Sequence, residues 1–453
     1  MHQKHSAKAA KNPQAAPVEY VKVCPTYGPG FFYIPGTTTC LKIGGMVDAT
    51  MYGVNQKVAK ADALNSHAEG RVSLDARDST EYGMARTFIR IAWVRSSGSD
   101  DNSGSQPRRG QWFNGLSQSY GALQTGFQAS NAFVQLGGFT AGRTESQAWV
   151  GPTLQQRTAM AGSNGRVNLL QYTAALGSGM SLTGAVEDAA ELRNGIFGAA
   201  PTAGLTYTTV ASTATTAAGN TTQGTGGDSN NISNRFPDAI ASFDVSQAWG
   251  TFKLAGVLHN VQPQDNVGVD SKTGWAAMAQ TKILLPSLAA GDNILFHGAY
   301  GVGATGRTFG NVVTDTNPTN ASATMNVLSV GVYDGIQLNN TLSLSKSYSF
   351  GAQFQHYFTP TVSAYVAGNY AAVSYGANAT KTVGLSGKLP HDFSMMAAEL
   401  GVIWTPVAGL EINPSVAYGK ATLKVAEVDG FNSAKNLKSD DQYGVRLRVA
   451  RSF

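Results

Sequence analysis

Charge is scarce in this chain. Asp, Glu, Lys and Arg supply 13% of its 453 residues, about half the ~25% usual in a soluble domain. Long apolar runs are missing as well: nothing approaches the ~18 residues a membrane-spanning helix requires, which excludes a helical membrane protein. Mean hydropathy, at −0.14, is unremarkable. Cysteine is reduced to Cys24 and Cys40, and no paired cysteines or nearby histidines complete a metal site around them. Catalytic signatures are missing too. The chain has no H-E-x-x-H, no P-loop and no G-x-S-x-G, and its seven histidines are scattered. Gly301 to Gly306 matches G-x-G-x-x-G by letter, but the dinucleotide fingerprint needs a helix directly after it. Here Arg307-Thr-Phe-Gly-Asn follows and leads into a polar segment without helical periodicity, so the match is a chance product of a glycine-rich chain. No cofactor is expected and no nucleophile–base pair suggests an enzyme.

What is abundant is glycine, 52 residues, and two-residue alternation. In the last segment Tyr443, Val445, Leu447 and Val449 share one parity, and Gln442, Gly444, Arg446, Arg448 and Ala450 the other. A strand with this pattern has one apolar and one cationic face. A soluble sandwich turns the apolar face to its core; a membrane barrel turns it to lipid and the polar face to a wet lumen. Period-two stretches continue from about residue 41 to the end, near 41–52, 71–77, 86–93, 130–137, 139–147, 166–176, 180–188 and 237–247. Others follow near 250–260, 274–285, 292–303, 346–358, 361–375, 392–405, 411–425 and 441–453. Short turns alternate with long connections such as 53–70, 96–129, 189–236 and 304–345, and 199–234 is a Thr/Ala/Gly/Asn-rich stretch with little apolar content, expected to be mobile. Segregated loop lengths favour an all-β, antiparallel transmembrane β-barrel of sixteen strands over a sandwich. Aromatics near strand ends (Tyr52, Tyr82, Trp93, Trp149, Trp249, Tyr357, Phe358, Trp404 and Tyr418) fit an interfacial girdle.

On this reading the inner wall carries Lys42, Arg71, Arg77, Arg86, Arg90 and Arg143, with Asp48 and Asp75 as partners for some of them. Arg143 is placed on the inner parity of a strand containing Phe139 and Ala141. Residues 149–165 are long enough to fold back into the lumen, where guanidinium groups would bias ion passage. Arg446 and Arg448 face the lumen and Arg451 lies among lipid headgroups. Residues 1–20 are basic and Ala/Pro-rich, without the apolar centre of a secretory signal, and are expected to form a flexible tail. Residues 21–40 form a Gly/Pro-rich segment that a Cys24–Cys40 disulfide could close in an oxidising compartment, contributing about 3 kcal/mol; two free thiols are the alternative. The barrel occupies 41–453.

Val23 to Gly45, VCPTYGPGFFYIPGTTTCLKIGG, resembles the N-terminal signature of alphaproteobacterial outer-membrane porins; Phe139 to Thr144, Asp238 to Gly250 and the strand ending in Phe453 resemble that family as well. The resemblance implies a sixteen-stranded homotrimeric general-diffusion porin of the Gram-negative outer membrane, with its third long loop folded into the pore. It implies Arg143 in the basic wall of the constriction, Arg86 and Arg90 beside it, Glu145 as the acidic loop residue opposite, and Phe453 as the assembly signal. Small hydrophilic solutes, ions and outer-membrane lipid are the expected partners; nucleic acid is not. Residues 146–165 hold no Asp or Glu, which with the net charge of +5 suggests a weak preference for anions. A substrate-selective channel, for sugars for example, is the alternative, and a soluble β-rich adhesin a more distant one.

Overall fold

The structure, a computed structural model, describes residues 22–55, 64–97, 124–151, 154, 165–188, 192–198, 236–263, 269–309, 332–338, 341–376, 392–428 and 436–453. The tail 1–20 and the stretch 199–234 therefore lie outside the described residues.

Sixteen antiparallel strands close into a barrel. They are β2 (Cys40–Val54), β3 (Leu64–Thr80), β4 (Gly83–Ser97), β5 (Gln124–Leu136), β6 (Phe139–Glu145), β7 (Arg166–Gly177), β8 (Met180–Glu187) and β10 (Asp238–Gln247). The series continues with β11 (Gly250–Val261), β12 (Lys272–Leu284), β13 (Asn293–Val302), β16 (Lys346–Thr359), β17 (Val362–Ser374), β18 (Phe393–Val407), β19 (Leu410–Val428) and β20 (Asn436–Ser452). Closure comes from β2 pairing with β20, Met46 opposite Ser452 and Val54 opposite Gly444. A closed sheet leaves no edge, and every spanning N–H and C=O finds a partner without water, which is the condition for crossing hydrocarbon. The segments expected near 130–137 and 139–147 are the two strands β5 and β6, joined through Gly137 and Gly138.

Connections sort by length. At one end six of the seven turns have two residues (81–82, 137–138, 178–179, 248–249, 360–361 and 408–409) and the seventh is 285–292; the connections at the other end have seven residues or more. The first end is the periplasmic one by the usual rule of such barrels. Phe453 sits there: its N–H donates to the Gly45 carbonyl and its carbonyl accepts from the Gly45 N–H, at 3.0 and 3.1 Å. Arg451 is exposed at the same rim.

The outer face carries the apolar parity of each strand. Ile43, Val47 and Met51 on β2, Leu254 and Leu258 on β11, and Tyr443, Val445 and Leu447 on β20 are all exposed. Replacing one of these by Arg or Lys at mid-membrane costs about 2–4 kcal/mol, so the alternation itself fixes the register against slippage by one residue. Trp93, Trp249, Phe358 and Trp404 are exposed outer-face aromatics. Tyr52 and Trp149 are not. Tyr52 falls on the inward parity of β2 beside Asp48 and Thr50 and is buried, and Trp149 belongs to the third connection inside the barrel.

The interior is unequal around its circumference. In the third long connection (146–165), the described residues 146–151 and 154 run from β6 across the inner wall. Ala148 and Val150 pack on Ala185, Ile240, Val257 and Met278, the Gly151 N–H donates to Gln280 (2.7 Å) and the Leu154 N–H to Gln353 (3.0 Å). This is the inserted third loop. The described parts of the fourth (192–198) and sixth (303–309, 332–338 and 341–345) connections also enter. They form a three-stranded sheet from β9 (Ile196–Gly198), β14 (Gly335–Leu338) and β15 (Thr341–Leu344). Phe309, Val332, Tyr333 and Ile336 of the sixth connection pack on Ala371, Val373, Phe393, Met395, Ala421 and Leu423, the inward row of β17–β19. That row is apolar because a loop covers it, an exception to the polar-lumen rule.

Residues 22–39 form a flap at the periplasmic rim. β1 (Phe32–Tyr33) pairs with the start of β2, and a disulfide joins Cys24 to Cys40 across 16 residues. Phe31 is buried against both cysteines, under the Arg77 guanidinium at 4.9 Å and the Lys42 ammonium at 5.9 Å. Because the bridge fastens the flap rather than the barrel, its loss should be felt locally. A Cys24→Ser/Cys40→Ser variant should keep the barrel's heat-modifiable gel mobility while limited proteolysis now cuts within 25–39. Equal protease resistance in the two proteins would show the flap held by its aromatic contacts alone.

Candidate functional site

Among the described residues no long connection packs on the inner wall formed by β20, β2, β3 and β4, and it is where the charges gather. Strand alternation brings Glu69, Arg71, Asp75 and Arg77 onto the inward face of β3, and Arg86, Phe88 and Arg90 onto that of β4. Arg71 grips Glu69 two residues away on the same strand with both carboxylate oxygens, at 2.5 and 2.8 Å. Arg77 and Arg86 face each other directly across the ladder, a like-charge pairing that is unfavourable by itself. Asp75 resolves it by accepting two bonds from each: 3.0 and 2.7 Å from Arg77, 2.8 and 2.9 Å from Arg86. Arg86 also donates to Gln135 (3.2 Å) and lies over the stacked rings of Phe88 and Phe133. Arg448 reaches from β20 to Asp48 and to Glu411, both at 2.6 Å.

Arg90 differs from its neighbours. Its guanidinium stacks on Phe88 at 5.3 Å, and among the described residues it makes no ion pair. It is level with the base of the third connection, since Arg90 pairs with Asn131 and the adjoining Ala132 with Arg143. There Arg166 approaches Glu145 at 3.8 Å, and Arg166 lies within electrostatic reach of Glu145, Arg71, Arg90 and Glu69. Along the sheet, β7 and β3 are four strands apart, about 19 Å at ~4.8 Å per strand; charges so separated in the wall meet only through the lumen.

The expected residues thus divide. Arg71, Arg77, Arg86, Arg90 and Asp48 share the inner wall, and Glu145 joins their field through Arg166. Lys42 is turned to the flap, donating to the Pro29 carbonyl at 3.3 Å. Arg143 is not on the inward row. Phe139 is 54% exposed and meets the outward Tyr172 at 4.9 Å, while Thr140 and Gly142 form the inward row of β6. The resemblance implies a wall role for Arg143, but alternation puts it on the apolar parity of Phe139 and Ala141, which here faces outward. Arg143 follows Gly142, whose φ of +125° admits no side chain: a Cβ there would come within 2.3 Å of the Ala132 carbonyl oxygen. Arg446 faces inward but is enclosed by Asn413, Ser415, Tyr365 and Glu399 rather than open to the lumen.

A second charged group went unforeseen. The residues directly after Gly301–Gly306 that the structure describes are buried. Thr305–Thr308 forms one helical turn, α1, wholly buried. Arg307 in it contacts Glu187 (2.8 Å) and Asp238 (2.6 Å), and none of the three is exposed. Burial by itself would lower the pKa of this guanidinium; the Glu187 and Asp238 carboxylates hold it above its ordinary value. The only signal in the sequence was an acidic residue of inward parity at each strand end flanking the fourth connection.

Comparison with known proteins supports the fold and the family. Porin Omp2a of Brucella ovis is 31% identical over 193 residues, 41% of this chain and 55% of that protein. Porin Omp2b of Brucella canis is 30% identical over 200 residues, 43% of this chain and 51% of that protein. The chain spans about half the length of these curated relatives. The crystal structure of the outer membrane channel DcaP of Acinetobacter baumannii superposes with a TM-score of 0.62 at 14% identity, covering 93% of this chain and 99% of that one, a likeness of fold. The family model described as the porin subfamily matches residues 9–445, and with a closed sixteen-stranded barrel on the page the chain belongs to that subfamily, in the outer membrane of a Gram-negative cell.

Proposed function

We propose that the chain forms a water-filled channel for passive diffusion of ions and small hydrophilic solutes, assembled as a homotrimer, with Phe453 as its assembly signal. The family implies a channel rather than an enzyme; on this reading no bond is made or broken. One observation supports it above the others: among the described residues Arg71, Arg77, Arg86 and Arg90 stay partly accessible on one arc of the inner wall while loop segments cover the opposite arc. Charges arranged this way do nothing for a solid plug, but they act on ions crossing the gap. Since Asp75 serves both Arg77 and Arg86, and Arg90 has no ion-pair partner among the described residues, the field should favour anions weakly. Glu145, beside Arg166, remains a candidate for the rim of the constriction.

Liposome swelling checks the reading. Uncharged sugars should enter at rates that fall smoothly with molecular size and rise linearly with concentration. Saturation by one solute class would instead support a substrate-selective channel, the reading favoured by the Phe88–Phe133 stack beside Arg86 and Arg90.

A further inference from the structure

We propose that Arg307 is a positioning residue for the pore: it clamps the sixth connection onto the root of the third, and so sets the cross-section that ions meet. This rests on the channel reading above.

The clamp is built around one carboxylate. Glu187, the last residue of β8, accepts the Gln147 N–H on Oε1 at 3.0 Å and the Ser146 hydroxyl on Oε2 at 2.8 Å. These are the first two residues of the third connection. The Arg307 Nη1 reaches the same Oε2 at 2.8 Å and the Ser146 Oγ at 2.9 Å. Its Nε and Nη2 donate to Asp238 Oδ2 at 3.1 and 2.6 Å, at the first residue of β10. One guanidinium therefore ties the loop root to two barrel strands. Behind it, Asp334 accepts from the Thr305 N–H and hydroxyl and from the Asn194 N–H, all at 2.7 Å, which binds the fourth connection to the sixth. His259 completes the layer between Asp238 (2.6 Å) and Asp334 (3.6 Å). The geometry leaves little slack. A Cβ on Gly306 would come within 1.8 Å of the Leu192 carbonyl oxygen, so the fourth and sixth connections touch backbone to backbone.

Without Arg307, Glu187 and Asp238 would be buried with their main counter-charge gone, and buried charges that lose a partner rearrange toward water. Here the nearest water is in the lumen, so relaxation would carry the third-loop root with it. Ser146 should transmit the effect and β2–β4 should not.

Planar-bilayer recording of the full chain tests this, with the gel mobility of the unboiled protein confirming a folded barrel. Arg307→Met should raise open-channel current noise several-fold and displace the reversal potential under a salt gradient. Arg307→Lys should recover part of both, and Ser146→Ala should show a smaller change in the same direction. Thr308 Oγ1 and Ser347 Oγ are in hydrogen-bond contact, so a Thr308→Cys/Ser347→Cys pair added to Arg307→Met can refasten the sixth connection by a disulfide. The current should then fall quiet under oxidant and turn noisy again under reductant, while wild type under the same reductant stays quiet. A folded Arg307→Met channel with wild-type noise and reversal potential would overturn the proposal, as would noise indifferent to the new disulfide. If Arg307→Met does not fold, Ser146→Ala decides: unchanged currents count against the clamp. A swelling assay on the same samples separates this from failure of the channel reading, since a noisy channel still conducts sugars and a non-channel does not.

Discussion

Arg90→Glu should move ion selectivity toward cations further than any other single change on the charged wall, and the reason is bookkeeping of partners. Each neighbouring cation is already answered. Arg71 holds Glu69 in a two-point contact, Arg77 and Arg86 divide Asp75, and Arg448 spans Asp48 and Glu411. Removing one of those cations exposes its carboxylate, which rearranges or takes up other partners, so the field changes by less than the formal charge. Arg90 stands on Phe88 with no ion-pair partner among the described residues, at the height of the third-loop root and within reach of Glu145 and Glu69. Its reversal to Glu alters the local charge by two and leaves no carboxylate without its cation. The ratio of anion to cation permeability, read from the reversal potential across a salt gradient, should fall several-fold; Arg90→Gln should give about half the shift on a free-energy scale. Raising salt should shrink the effect, since the screening length drops from about 10 Å at 0.1 M to about 3 Å at 1 M. If Arg77→Gln displaced the potential more than Arg90→Glu, the narrowest charged level would lie at the flap and not at the third loop.

The barrel was legible in the sequence because its physics is local. Period-two alternation and turn residues mark each strand where it stands, and all sixteen expected segments coincide with strands, from β2 around Leu41 to β20 at Phe453. Interior packing is a different matter. Loops that fold into a barrel bury their apolar side against wall residues dozens of positions away: Phe309 meets Phe393, and Tyr333 meets Tyr375. Nothing within residues 304–345 announces this, because scattered apolar residues among Thr and Asn look like a solvated connection until the opposite wall is known.

The site shows the same division. Arg71, Arg77, Arg86 and Arg90 could be placed because parity alone decides their face. Glu69 sits at spacing two from Arg71 and was within reach of the same argument. At Arg143 alternation holds, but it puts the residue on the apolar parity of Phe139 and Ala141, so a wall role could come only from the resemblance and not from the pattern. At Arg446 parity holds, and the side chain faces inward, yet it is sealed behind Tyr365 and Glu399. The Arg307 clamp was beyond any such argument. Ser146, Glu187, Asp238 and Arg307 converge from four separate elements, and only the closed barrel brings them together.

Gly250→Ala should all but abolish the folded barrel, a larger effect than any charge change here. Gly250 opens β11 directly after the two-residue turn at 248–249, with φ at +142°. A Cβ at this position would lie 1.9 Å from the Lys282 carbonyl oxygen, 2.9 Å from the carbon bearing it and 3.2 Å from the Ile283 Cα. All three are backbone atoms of β12, so no rotamer change relieves the contact; β11 and β12 must part at their periplasmic end, where the Leu284 N–H donates to the Trp249 carbonyl at 2.9 Å. Backbone held in such a region costs about 1–3 kcal/mol for a non-glycine residue, and forced overpacking about 1–3 kcal/mol more, against a typical folding stability of about 5–15 kcal/mol. Gly184 and Gly256 supply the contrast. Each lies in a strand, neither has a positive φ, and a Cβ on either meets nothing within 4 Å. Urea titration of refolding into detergent, read by the mobility of the unboiled protein, should place Gly184→Ala and Gly256→Ala at the wild-type midpoint and Gly250→Ala far below it or without a folded band. A wild-type midpoint for Gly250→Ala would mean that the 248–249 turn is not the tight two-residue connection described, and the register of β11 on β12 would have to be redrawn from that end.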